Sequence, residues 1–252
     1  MQINSDMNIL GGMPDYDLIR ICIAGQADGV ATEEIKLLYT SIRTDNAVQR
    51  FIKAINSGMN VFKTKNLKDM IQQMCSEMEL NETLELMFFY NFSLNNDLFA
   101  YMNEHFFFPA LYSGRSTLTT EEAEACLKEL AISEEKVQDW SASTVNVTAS
   151  KYLTMLKKFG LLDGKIKKQI LHRTLTDTQF IYFLYWLMEA EETTNMSDSR
   201  FMKYGFMEKQ SFIKRCLQQK FTPYINITYN GDVLRIEPKI SYEEIVHECE
   251  QH

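Results

Sequence analysis

Residues 140–164, WSASTVNVTASKYLTMLKKFGLLDG, constrain the fold more than any other stretch of the chain. Ser141, Ser143 and Thr144 are small hydroxyl residues, any of which can cap a helix by accepting a bond from a free backbone N–H. Val145, Ala149, Tyr152, Leu153, Leu156 and Phe159 then recur at steps of three and four, which predicts a helix with one buried face. Gly160 ends it, since glycine enters the left-handed conformation that closes helices at little cost. The other face carries Asn146, Thr148, Ser150, Lys151, Thr154 and Lys157. Lys165, Lys167, Lys168 and Arg173 follow. From Ser141 to Thr176 seven Lys/Arg stand against the single acid Asp163, a local charge of +6 in a chain whose net charge is −8. A basic patch in an acidic protein stands out from its background.

Two shorter helices are expected just upstream. Thr119-Thr120-Glu121-Glu122 reads as a capping box opening a helix to about Leu130, and Ser133 is placed to cap a second helix ending near Trp140. Three helices with the basic one last are the order of a helix-turn-helix. Ile166 to Thr174, basic and rich in β-formers, reads as its wing. Few Gly and Pro point to a mainly α protein: an N-terminal helical bundle, a winged helix-turn-helix domain, and a short β-hairpin near the C-terminus. The expected boundaries are a flexible leader over 1–14, a bundle over 15–115 centred on the aromatic run 84–105, the winged domain over 116–196, and an extension over 197–252. Ser113-Gly114-Arg115-Ser116 reads as a linker, and Asp177 opens an apolar helix to Glu192. In the extension, a helix over 208–219 precedes strands flanking Asn230-Gly231, a two-residue hairpin signal, and Ser241 caps a closing helix.

Bulk properties narrow the function. Hydrophobic residues make up 45% and charged residues 24%, ordinary for a soluble globular protein, and a pI near 5.2 argues against a protein that coats nucleic acid indiscriminately. The longest apolar run, Phe180 to Met188, is far short of the roughly 20 residues of a spanning helix, and no secretory signal is visible. Five scattered cysteines without a Cys-x-x-Cys pair read as reduced thiols, so the expected compartment is the cytoplasm. No phosphate loop, dinucleotide fingerprint, nucleophile elbow or zinc-protease motif is present. His247-Glu248-Cys249 lacks partners at zinc-site spacing. The chain therefore reads as a binding protein, not an enzyme, with no cofactor and no metal.

Double-stranded DNA is the expected partner. Ser143, Thr144, Asn146, Val147, Ser150 and Lys151, on the first turns of the third helix, are placed to meet base edges. Asn146 suits a bidentate contact to adenine, and Thr144 or Val147 a thymine methyl. Lys165, Lys167, Lys168 and Arg173 are expected on phosphates. Four to six such contacts give a log-log salt slope of roughly −4 to −5. Further basic strips at 43–68 and 200–220 have solvated helix faces as their simpler explanation.

Residues 41–52, SIRTDNAVQRFI, together with Trp140-Ser-Ala-Ser-Thr144 and the LKKFGLL of residues 156–162, resemble the BrxA family of bacterial BREX phage-defence systems. The likeness spans roughly residues 16–190. It implies a non-catalytic, mostly helical protein that binds double-stranded DNA and works beside a methyltransferase, an ATPase and other defence components. Two alternatives stay open. In one, the winged helix and aromatic core are an adaptor holding protein partners of the same complex. In the other, the chain is a winged-helix transcription regulator of an unrelated family.

Overall fold

The structure, a computed structural model, describes residues 3, 6–39, 41–193 and 195–250, with backbone alone for 36–39 and 250. The fold is mainly α. In chain order the helices are α1 (Asp6–Leu10), α2 (Asp17–Ile23), α3 (Thr32–Tyr39), α4 (Asp45–Gly58), α5 (Lys65–Glu77), α6 (Glu82–Asn95), α7 (Asp97–Met102), α8 (Phe108–Tyr112), α9 (Thr120–Leu130), α10 (Glu135–Gln138), α11 (Ala142–Lys158), α12 (Asp177–Ala190), α13 (Lys209–Cys216) and α14 (Glu244–Glu250). Short strands β1 (Thr117–Leu118), β2 (Leu162–Asp163) and β3 (Lys168–Ile170) lie among them, with β4 (Ile225–Tyr229) and β5 (Leu234–Pro238) near the end.

Two compact units result: residues 1–61 with 78–172, and residues 62–77 with 173–252. The boundaries expected at 115/116 and 196/197 are not where these units divide. α5 explains part of the difference. It packs on α12 and α14, and the segment leading into it is tied there by Lys63 Nζ donating to the Ala190 carbonyl at 2.8 Å and by Asn66 Nδ2 donating to Glu189 Oε1 at 2.8 Å. No local sequence pattern encodes a pairing over more than a hundred residues.

α6 is the centre of the first unit. Leu84 and every residue from Leu86 to Ser93 are buried, so the helix is enclosed on all sides, as a helix apolar all round must be. Phe89, Phe99, Phe159 and Tyr152 cluster about it, with Phe99–Tyr152 centroids at 5.5 Å and Phe89–Phe159 at 5.8 Å. α7 runs into α8 through a π-helical turn, Asn103–Phe107. Pro109, in the first turn of α8, has no N–H and crowds the carbonyl four residues back, which favours such a local rearrangement. The turn points Asn103 inward. Its Oδ1 accepts from the Tyr152 hydroxyl of α11 at 2.9 Å, its Nδ2 donates to Ser93 Oγ at 3.0 Å, and Ser93 donates to the Phe89 carbonyl at 2.7 Å.

Residues 6–13 of the expected flexible leader form a structured brace. Met7, Leu10 and Met13 are at most 2% exposed, and α1 packs on both α4 and α11. Asp6 accepts from Ser57 Oγ at 2.8 Å, and Asn8 Nδ2 donates to Thr148 Oγ1 at 3.1 Å. A Cβ on Gly11 would lie 2.8 Å from the Lys151 carbonyl oxygen, so only glycine lets the two backbones come this close.

β1, β3 and β2 form a three-stranded antiparallel sheet in that order, with Thr117 opposite Gln169 and Leu162 opposite Ile170. α9, α10 and α11 lie in sequence between β1 and β2. The capping box of α9 is present: Thr119 accepts from the Glu122 N–H at 3.3 Å, and Glu122 accepts from the Thr119 N–H at 2.9 Å. Ser133 does not cap α10. The N-cap is Glu134, without a side-chain bond, and Ser133 donates back to the Leu130 carbonyl.

In the second unit, Phe180, Phe183 and Trp186 of α12 meet Phe201, Tyr204, Phe212 and Phe221. The β4–β5 hairpin forms, but Tyr229 pairs with Leu234, so its loop is Asn230–Val233 and not the two-residue turn expected. Asn230 Oδ1 accepts from the N–H groups of Asp232 and Val233 at 3.1 and 2.8 Å, which stabilises the longer loop. None of the five cysteines is in a disulfide, and all are buried. Burial raises the thiols of Cys22 and Cys249 to about 12 and that of Cys126 to about 11. Native protein at pH 8 is therefore expected to react with a thiol reagent only as fast as it opens, and prompt labelling of any cysteine would contradict this.

Candidate nucleic-acid interface

α11 begins where its hydroxyls predict. Ser141 is the N-cap, accepting from the Thr144 N–H at 3.1 Å, and its Oγ is 2.9 Å from Thr144 Oγ1. The helix ends at Lys158, with Gly160 at φ 68° and the Leu161 N–H donating to the Leu156 carbonyl at 2.9 Å. The six apolar residues of the expected core face are all buried. Thr148 is a correction to the expected polar face: it is buried under α1, where Asn8 holds its hydroxyl. Lys151 is half-buried for the same reason, its amine lying above Gly12.

With α1 on one flank and α9 on the other, a single stripe of α11 stays open: Ser143, Asn146, Val147 and Ser150 exposed, then half-exposed Thr154 and exposed Lys157. These steps of three and four trace one side of the helix. Four of the six expected base-facing residues, Ser143, Asn146, Val147 and Ser150, are therefore exposed on it, and Lys151 is half-buried beside it. Thr144 sits at the rim with its hydroxyl engaged in the cap. The sequence did not reveal Glu124 of α9, whose Oε1 accepts from Asn146 Nδ2 at 2.6 Å. That carboxylate fixes the amide orientation of Asn146 and places a negative charge on the stripe.

The residues expected on the wing separate by environment. The loop between β2 and β3 is Gly164–Lys167, with Gly164 at φ 90°, where a Cβ would lie 2.4 Å from the Lys167 carbonyl oxygen. The Gly164 carbonyl accepts from Lys157 Nζ at 3.1 Å and Lys168 Nζ at 3.2 Å, and Lys157 also pairs with Asp163 at 3.1 Å. Desolvation, with the nearby Lys157 charge, lowers the Lys168 amine below the ordinary lysine range. Lys168 thus braces the loop. Lys165 and Lys167 are exposed on it. Arg173, the fourth residue of the expected phosphate set, belongs to the second unit.

Lys158 is the least solvated lysine of α11. Its amine has no hydrogen-bond partner and lies 5.0 Å from the centre of the Tyr16 ring. Desolvation and the neighbouring Lys151 lower it to about 8, against an opposing pull from Asp15. In the unfolded chain it keeps an ordinary value near 10.4. Between about pH 8 and 10 the unfolded state therefore binds more protons, so this group makes stability rise with pH. Lys158→Met is expected to raise the melting temperature at pH 7, by a margin that shrinks as the pH approaches 10. An unchanged or lower melting temperature at pH 7 would contradict this placement.

The 200–220 strip is largely consumed within the second unit. Lys209 pairs with Asp198 at 2.5 Å, Lys220 with Asp177 at 2.6 Å, and Arg215 with Asp177 at 3.1 Å. In the 43–68 strip, Arg43, Arg50 and Lys53 on and before α4 are exposed.

Among the described residues, no group of three or more His, Cys, Asp or Glu is placed to hold a metal ion, and no helix is long and apolar enough to cross a membrane. A mainly helical chain with an open helix stripe beside a small antiparallel sheet is the class of protein that the geometry defines. Residues 37–184 match the BrxA family. With more than half of its length matched, the chain belongs to that family, and membership associates it with BREX phage-defence systems. The match leaves out α1 and α2, including the brace on α11, and everything after Leu184. No curated protein and no solved structure matches the chain.

Proposed function

We propose that residues 117–171 are a winged helix-turn-helix that binds double-stranded DNA as a non-catalytic part of a BREX system. The observation that carries the reading is the open stripe of α11 beside a loop whose two exposed lysines have no internal partner. The order strand, three helices, hairpin supports it, since a helix-turn-helix lays its last helix in the major groove while flanking elements hold the backbone. Ser143, Asn146, Val147 and Ser150 face the bases, with Thr144 at the edge and half-buried Lys151 reaching the adjoining phosphate. Lys165 and Lys167 contact phosphates, and Lys168 supports them. A methyltransferase and an ATPase of the same system are the protein partners expected beside it.

Counting lysines by environment lowers the expected charge contribution. Lys165, Lys167 and half-buried Lys151 are available, which gives about three phosphate contacts and a salt slope near −3. The test is the affinity of the Lys165→Ala/Lys167→Ala double variant for unrelated duplexes of equal length. The expected result is a similar loss for all of them, with a slope shallower by about 2. Loss of sequence preference at unchanged average affinity would overturn the wing assignment.

Asn146 supplies a separate prediction. Asn146→Ala is expected to leave stability within roughly half a kcal/mol and to weaken a preferred site by about 1–3 kcal/mol. Equal affinity for every site would assign the Asn146–Glu124 bond to the fold alone. The adaptor reading keeps one observation in its favour, the acid Glu124 on the stripe, and predicts that duplex affinity ignores all of these substitutions.

A further inference from the structure

Ile166 is 90% exposed, more than any other large apolar side chain among the described residues. It stands at the tip of the β2–β3 loop, between exposed Lys165 and Lys167. A side chain this bare contributes no burial energy to its own unit, and water gains nothing from a β-branched hydrocarbon. The loop beneath it is fixed. Gly164 makes the tight turn, and the Gly164 carbonyl is held by two lysine amines, from α11 and from β3. The next most exposed apolar residue, Ile132 at 81%, follows α9 between Glu129 and the pair Glu134-Glu135. Acids around it disfavour a polyanion. Lysines on both sides of Ile166 favour one.

Resting on the duplex-binding reading above, we infer that Ile166 is a wedge. The loop tip enters the minor groove, Lys165 and Lys167 take the flanking phosphates, and Ile166 pushes between two stacked base pairs and kinks the duplex. Apolar side chains that enter a base step from the minor groove partly unstack it. The step best suited is pyrimidine–purine, which unstacks most easily. The wing then reads deformability as well as charge, at base pairs that the α11 stripe does not touch.

The experiment uses the full chain and a duplex of about 30 base pairs with dyes at its ends and a fluorescent adenine analogue in a central TA step. Wild-type protein is expected to shorten the end-to-end distance, with a bend between about 20° and 90°, and to brighten the analogue as it unstacks. Ile166→Ala, on an exposed loop, folds normally. It is expected to bind within about tenfold of wild type, with the same salt slope, while losing both signals. Lys165→Ala/Lys167→Ala should lose affinity and slope instead. An Ile166→Ala variant that bends and brightens the duplex like wild type overturns the wedge and leaves duplex binding intact. Wild-type protein that does not bind the duplex at all overturns the reading on which the wedge rests. Vesicles of phosphatidylglycerol are the remaining arm. Binding to them that depends on Ile166, with duplex bending unaffected by its loss, overturns the wedge in favour of a lipid-surface contact.

Discussion

Leu10→Ala is expected to cost about 2–5 kcal/mol of stability, the range for a buried leucine that leaves a cavity. Leu10 is 0% exposed and belongs to α1, which packs on α4 and α11. Such a loss is a large share of the total for a domain of ordinary marginal stability. Gly11→Ala provides an independent check, because its added methyl meets the Lys151 backbone and overpacking costs about 1–3 kcal/mol. Urea unfolding of both variants measures the brace directly. If residues 6–13 were a loose leader, both midpoints would stay where the wild type has them.

Asn103→Ala is expected to cost about 3 kcal/mol or more, because it strands two buried partners at roughly 1–3 kcal/mol each. The Tyr152 hydroxyl loses its acceptor and Ser93 Oγ loses a donor. Tyr152→Phe alone should cost less, about 1–2 kcal/mol, since one acceptor is left unpaired. A double-mutant cycle over the two positions is expected to show clear coupling of the kind that neighbours in one network display. Additive losses would mean that the bond between π turn and α11 contributes nothing to the fold. The coupling has a functional side, because Tyr152 anchors the α11 face opposite the open stripe to the aromatic core.

What could be read from the chain without its structure was what local chemistry encodes. Thr119 and Glu122 announce the start of α9, Ser141 and Gly160 bracket α11, and the apolar spacing of Val145 to Phe159 gives its buried face. α1 was hidden because its five helical residues are too few to show a period, and its burial depends on α4 and α11, far away in sequence. The same limit applies to α5, which belongs with α12 and α14.

The site was legible as a charge and only partly as a surface. A count of seven cations cannot tell that Lys157 is paired with Asp163, that Lys158 lies against Tyr16, or that Lys168 supports Gly164. Nor does it show that Glu124 reaches Asn146 from a neighbouring helix. Ser143, Asn146, Val147 and Ser150 are exposed, as helical periodicity implies for residues away from the apolar face. Thr148 was misplaced because the covering segment was α1.

The most direct measurement is a titration of wild-type protein with a short duplex at two salt concentrations. The account predicts binding at low salt that weakens steeply, with a log-log slope near −3 for B-form DNA. Absent binding at low salt, or an affinity that does not change with salt, would contradict it.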